Sequence, residues 1–280
     1  MYQFAERPML GHHNGHAPTN TNGIATMTNS HHGVVAAQYG QRADAYVTSA
    51  VHASGADLDQ IEDTLRGRNA VRVLDLGCGG GHVAYRAAPH AAEVVAVDVT
   101  APMLEAVARN AAERGLTNIT TTQAPAERLP FADGHFDVVL SRFSAHHWLN
   151  AEAGLREARR VLAPGGRAVF VDIVSPGDPL LDTHLQAVEL LRDTSHVRNY
   201  SAAEWMGALS RAGFAVTGLT PRRLRMEFAV WTARTSTPDL RAQAIRALQD
   251  LASDEVRRHF DILEDGSFLL DSLTIEAEAC

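Results

Sequence analysis

Lysine is absent from the 280-residue sequence: all 25 basic side chains are arginine. A Schiff-base aldolase or a pyridoxal-phosphate enzyme needs a lysine amine, and a P-loop NTPase needs a lysine after its second glycine. Those reaction classes are excluded. Cysteine is scarce as well. Cys78 and Cys280 cannot build a disulfide framework, so a reducing compartment, the cytoplasm, is the expected location. No apolar run approaches the ~18–20 residues of a transmembrane helix, so no membrane insertion is expected. Residues 1–30 have neither a basic n-region nor an apolar h-region, so no signal peptide is read there. Basic charge is in deficit. The 33 acidic side chains leave a net charge of −8, which argues against nucleic acid as the main partner, because phosphate binding needs concentrated basic charge.

What is present is an ordinary globular composition, 45% hydrophobic and 21% charged, long enough for a substantial core. Residues 1–33 are rich in Gly, Asn, Thr and His without apolar periodicity and read as a disordered tail. Its His12, His13, His16, His31 and His32 could suggest a metal tract, but nothing beside them would fix ligand geometry, so no metal is expected. Residues 34–280 read as one domain. Helices are predicted over 34–53 and 58–66, followed by strands at 71–76, 94–97, 119–122, 136–140 and 168–174 alternating with helices at 82–88, 101–114 and 153–162. This rhythm predicts a parallel sheet covered by helices on both faces. The final third predicts a helix at 180–192 and a capping box, Ser201 to Glu204, opening a helix to 212. Short strands at 214–217 and 224–228, a helical region at 237–259 and a last strand at 268–275 complete it.

The sharpest signal is Val71-Arg72-Val73-Leu74-Asp75-Leu76-Gly77-Cys78-Gly79-Gly80-Gly81-His82. Glycines that follow a strand and open a helix let a ligand approach bare backbone at the helix N-terminus. The spacing is G-x-G-x-G, and His82 stands where a dinucleotide fingerprint wants its third glycine. The second strand ends in Asp98, placed to accept hydrogen bonds from both ribose hydroxyls of a nucleoside ligand. The bland readings are that Asp98 caps the next helix and that Asp75 braces the loop. Cys78 reads as a small loop filler and not a nucleophile.

These residues resemble the class I S-adenosylmethionine-dependent methyltransferases. Ala126-Glu127-Arg128-Leu129-Pro130-Phe131 with Phe136-Asp137-Val138-Val139 resembles the A-E-x-L-P-F…F-D-x-V stretch of the type 11, ubiquinone/menaquinone-biosynthesis branch. Arg160-Val161-Leu162-Ala163-Pro164-Gly165-Gly166 resembles its R-V-L-x-P-G-G. The likeness runs from about Tyr39 to Val174. It implies an α/β fold, a doubly wound, mostly parallel seven-stranded sheet of the Rossmann-like methyltransferase type, with a helical N-terminal cap and C-terminal insertions. It also implies a cofactor-binding core over about 68–175 and a substrate-side insert over about 176–212. The implied cofactor is S-adenosylmethionine. Gly77, Gly79 and Gly81 would face its methionine part, Asp98 would hold its ribose, Val99 and Met103 would line its adenine and the Ala126 backbone would meet the adenine edge, with Asp75, Cys78, Glu127 and Ser141 completing the cofactor-binding set. One departure stands out. Pro125 occupies the place of an acid that accepts from the adenine amino group in many relatives, leaving Gln123 or Glu127 as substitutes.

On the acceptor side, His146 and His147 follow the fourth strand, where a general base belongs. Their bland reading is packing at a helix start. Arg192-Asp193-Thr194-Ser195-His196-Val197-Arg198, with Arg234-Thr235-Ser236-Thr237-Pro238, resembles a bacterial branch of type 11. That likeness implies that His196 and Arg198 line the substrate pocket, with Arg198 pairing an anionic substrate; the alternative is a bonded loop over the sheet. Tyr39 and Tyr46 share a helix face and resemble an aromatic cap over the cofactor. Arg222, Arg223 and Arg225 read as a solvated strand edge. The expected function is methyl transfer to a small molecule, with an NAD-dependent oxidoreductase or a non-catalytic cofactor-binding protein as alternatives. A homodimer is left open.

Overall fold

A computed structural model describes residues 30–40, 42–43 and 54–280. The readings at His12, His13, His16 and Tyr46 lie outside the described residues. The first helix, α1 (His31–Gly40), starts three residues earlier than expected, so His31 and His32 leave the tail and join the fold.

The sheet forms where apolar runs can be buried on both faces. β1 (Arg72–Leu76), β2 (Glu93–Asp98), β3 (Ile119–Gln123), β4 (Phe136–Arg142) and β5 (Leu162–Ile173) run parallel. With β6 (Phe214–Met226) and β7 (Phe268–Ala279) they make a seven-stranded sheet in the order β3-β2-β1-β4-β5-β7-β6. Only β7 is reversed, pairing antiparallel with both β5 and β6. The expected mostly parallel α/β sheet is what the chain forms. Two details differ. The two short strands expected at 214–217 and 224–228 are one strand. Pro221 does not break it, because β6 is an edge strand and tolerates a missing N–H. The last strand extends to Ala279.

Helices α2 (Ala56–Leu65), α3 (His82–Ala87) and α4 (Ala101–Glu113) bury Leu58, Ile61, Val83, Leu104 and Val107 against one face of the sheet. On the other face α5 (Ala151–Val161) and α7 (Ala202–Ala212) bury Leu155, Val161, Trp205 and Leu209. Asn150 opens α5 by accepting from the Ala153 N–H at 3.0 Å. The capping box at Ser201 and Glu204 forms as expected. A third apolar cluster joins α6 (Pro179–Arg192), α8 (Phe228–Arg234), α9 (Asp239–Asp250) and α10 (Asp254–Phe260) to the ends of β5 and β7.

From β1 the chain builds outward to β2 and β3, then crosses back to β4 and β5. The reversal opens a crevice beyond the carboxyl ends of β1 and β4. No helix among the described residues is long and apolar enough to cross a membrane.

Candidate active site

A cavity of about 780 Å³ occupies this crevice. Its first wall is the loop after β1. The Gly77 and Cys78 N–H groups both donate to the Val97 carbonyl, at 2.8 and 2.9 Å, tying the loop to β2. Gly77 has φ +73°, and a Cβ there would stand 1.8 Å from Ser144 Oγ. Gly79 also has positive φ, but a Cβ there would meet nothing within 4 Å, so this glycine borders open space on the cavity wall. Gly81 is off the wall and serves packing: its Cβ would meet Tyr85 and Val107 at 2.9 Å.

A buried acid, Asp75, and a half-buried one, Asp98, hold this loop. Asp98 accepts from the Gly79 N–H at 3.0 Å and the Thr100 N–H at 2.9 Å. It does not cap α4, whose N-cap is Thr100. Burial raises its pKa, with these donors working in the opposite direction. Asp75 Oδ2 accepts from the Ala84 N–H at 3.0 Å, while Oδ1 is buried and without a partner among the described residues. Burial lifts the Asp75 carboxyl to about 7. Burial, with both acids nearby, pushes the Cys78 thiol far up, so it is no nucleophile.

Val99, Met103, Ala126 and Glu127 also line this end of the cavity. The Glu127 carboxylate is already engaged by the Asn150 N–H at 3.1 Å and by His32 at 3.5 Å. Gln123 turns its amide to the Val99 carbonyl at 2.9 Å and is not on the wall. Neither therefore replaces the acid missing at Pro125 with a free side chain. Ser141 is a correction as well. Its hydroxyl donates to the Leu76 carbonyl at 2.8 Å, inside the seam between β1 and β4, and it does not line the cavity.

The three histidines separate clearly. His146 lines the cavity, and its Nδ1 lies 2.5 Å from Asp172 Oδ1. Burial alone would lower its pKa, but the charge of Asp172, with Glu189 and Asp193 behind it, outweighs burial and raises it. His147 contacts the Tyr39 hydroxyl at 3.0 Å through Nε2 and the Ser195 carbonyl at 3.1 Å through Nδ1. Burial and the adjacent His146 push it down to about 3, so it is neutral. Asp193 stays ionised. Burial works against this, but hydrogen bonds from the Ser195 N–H and hydroxyl and from the Tyr39 hydroxyl keep its carboxyl below the ordinary range. His196 does not reach the cavity: its Nε2 contacts Gln186 at 2.8 Å, and burial again pushes it to about 3. Arg198 fails as a substrate clamp for a simple reason. Asp182 and Glu204, each at 3.1 Å, already neutralise it outside the cavity.

The opposite wall went unrecognised in the sequence. Arg222, Leu224 and Met226 alternate along β6 and face inward, beside Ile173, Trp231 and Leu270. Arg223 and Arg225 turn outward to Asp271 and Asp261, so only they fit the solvated-edge reading. The signal was the period-two spacing of 222, 224 and 226. Asp172 was also missed. An acid inside the apolar run Val169-Phe170-Val171-Asp172-Ile173 was its signature.

The methyltransferase-domain family matches residues 74–170. YafE of Escherichia coli, described only as uncharacterized, is 48% identical over 201 residues, covering 72% of this chain and 97% of that protein. YcgJ of Bacillus subtilis, described as an uncharacterized methyltransferase, is 36% identical over 243 residues, covering 85% of this chain and 96% of that protein. The chain belongs to the class I, type 11 methyltransferases. A crystal structure of YcgJ superposes on this methyltransferase with a TM-score of 0.77, covering 80% of this chain and 97% of that one. The C-methyltransferase UbiE of Ectopseudomonas mendocina, named for ubiquinone and menaquinone biosynthesis, is 34% identical over 155 residues. These cover 48% of this methyltransferase and 60% of UbiE. The comparisons favour neither the NAD-dependent oxidoreductase nor the binding-only alternative. The enzyme is S-adenosylmethionine-dependent. Its residues fit that cofactor on two observations: Gly79 presents backbone to open space, and Asp75 Oδ1 is a buried acceptor awaiting a donor.

Proposed function

We propose that this methyltransferase acts on a small molecule in the cytoplasm and that His146 takes the acceptor's proton. The observation that carries this is the His146–Asp172 dyad on the wall of the same cavity as the glycine loop. When bound, S-adenosylmethionine supplies a methyl group already activated on a sulfonium. The protein's tasks are then to hold, align, exclude water and remove a proton. Gly79, with Cys78 beside it, presents backbone to the methionine side while Gly77 lets the loop pack against Ser144, and the raised Asp75 carboxyl offers its free oxygen to the cofactor's cationic end. Asp98, fixed by two N–H donors, holds the ribose. Val99, Met103 and Ala126 flank the adenine.

His146 is supported over His147 and His196 by its free nitrogen. Its Nδ1 faces Asp172, and Nε2 has no hydrogen-bond partner among the described residues. The other two histidines are neutral and held by Tyr39, Ser195 and Gln186. Asp172 acts as a positioning residue, fixing the tautomer and stabilising the imidazolium that forms. Residues from α1 to 280 read as one methyltransferase domain, with the cofactor core over about 68–175 and an insert over about 176–212 that braces His147.

Calorimetry of the full chain with S-adenosylhomocysteine tests the cofactor assignment, and absence of binding sinks it. Incubation with S-adenosylmethionine and a protein-free small-molecule extract tests the acceptor class. The expected result is enzyme-dependent S-adenosylhomocysteine release. Release only when protein or nucleic acid is supplied would overturn the small-molecule reading.

A further inference from the structure

The cavity wall farthest from the glycine loop carries a permanent cation whose partners are all neutral. Arg222 donates to Thr274 Oγ1 and Gln60 Oε1, each at 2.6 Å, and more weakly to the Ala56 and Thr220 carbonyls. No carboxylate among the described residues forms an ion pair with it. Of the other arginines at the cavity, Arg142 pairs with Asp57 and Arg192 with Glu189, while Arg223 and Arg225 turn outward to Asp271 and Asp261. Glu276, two residues on from Thr274, is held by Gln60 at 2.5 Å instead. Guanidinium does not lose its proton in proteins, so Arg222 brings a lasting positive charge to a half-enclosed cavity.

We propose that the methyl acceptor is a small organic carboxylate with an apolar body, its charged end docked on Arg222. The proposal rests on the methyl-transfer reading of this cavity and deepens it. Leu224 and Met226 follow Arg222 on the inward face of β6, and Ile173, Trp231 and Leu270 complete an apolar floor for the body. Arg222 pairs with Ser272 on β7, and Ser272 pairs with Ile173 on β5, so Arg222 and Ile173 share one sheet face. Arg222 and His146 line the same cavity, so an acceptor with its carboxylate on Arg222 can turn its body toward His146. A carboxylate at Arg222 would also receive charge-assisted hydrogen bonds that a neutral analogue cannot match.

The test uses 3-(4-hydroxyphenyl)propionate and its primary amide as probes. Binding of each to the full chain saturated with S-adenosylhomocysteine is measured by calorimetry at pH 7.5. The carboxylate is expected to bind roughly ten- to a hundredfold more tightly than the amide. Arg222→Gln is expected to erase that preference with S-adenosylhomocysteine affinity unchanged, and Arg222→Lys to keep part of it. Equal binding of acid and amide, binding of neither, or a preference that survives in Arg222→Gln overturns the proposal. If Arg222→Gln does not fold, loss of the whole preference in a folded Arg222→Lys also counts against a charge-led site. A chain that fails to bind S-adenosylhomocysteine would instead indict the cofactor assignment, which keeps the two failures apart.

Discussion

The cavity's two ends are built by different means. The cofactor end is made of backbone and two acids, Asp75 and Asp98, fixed by hydrogen bonds from main-chain N–H groups. The far end is made of long side chains on β6 and α8, an arginine and an apolar floor. Backbone walls leave little freedom, which suits a ligand that never changes. Side-chain walls can be altered one residue at a time without disturbing the sheet, which suits an acceptor that differs between enzymes. Between them stands His146, and substitutions can show whether the division of labour holds.

The largest effect is expected at that border. His146→Ala should lower kcat/KM by ~10²–10⁴-fold, the usual weight of a general base, with S-adenosylhomocysteine binding intact by calorimetry. Loss of cofactor binding instead would move the border. Next come the glycines. Gly77→Ala should cost about 2–4 kcal/mol in denaturant unfolding, because its Cβ collides with Ser144 and φ is positive. Gly79→Ala should cost only about 1 kcal/mol yet weaken S-adenosylhomocysteine sharply, since its methyl group enters open cavity. Equal stability loss in both would break the view that Gly79 serves ligand and Gly77 serves packing. Asp98→Ala should weaken S-adenosylhomocysteine about ten- to a hundredfold in the same assay.

A smaller effect should appear at Asp172. A base must be neutral to work, so kcat/KM should rise with pH through a pKa above the ordinary histidine value of 6.5. Asp172→Asn removes the charge that raises it, so the rising limb should move to lower pH while the plateau falls about tenfold. A limb that stays in place would detach Asp172 from the base. The last effect is on stability alone and concerns Asp75. Burial lifts its carboxyl from the ordinary 3.8 to about 7 in the folded chain, so its contribution to stability is full below about 3.8 and lost as pH rises through 7. This group should lower the melting temperature of the cofactor-free enzyme as the pH is raised from 6 to 8, and Asp75→Asn should flatten that slope.

The same contrast explains what could be read from the sequence. Asp75, the glycines and Asp98 were legible because their conformations demand those residue types at fixed spacing. The alternation of strands and helices was legible because buried parallel strands must be apolar on both faces. Ser141 misled because nothing in its neighbourhood shows which way a hydroxyl turns. Arg198 misled because its partner Glu204 had already been assigned to the capping box, though it serves both roles. Arg222 falls between the two short strands expected at 214–217 and 224–228 and so had no face assigned to it. The alternation that sorts Arg222 from Arg223 is visible only along an unbroken strand.

The place of β7 has a consequence for the order of assembly. It follows β6 in the chain yet lies between β5 and β6. Until it docks, β6 has no neighbour to pair with, and Arg222 has no Thr274 to hold it. Strands β1 to β5 can meet one another without it. The half that carries the glycine loop and Asp98 is therefore free to take shape during synthesis, while the half that carries Arg222 waits for the last strand to thread home.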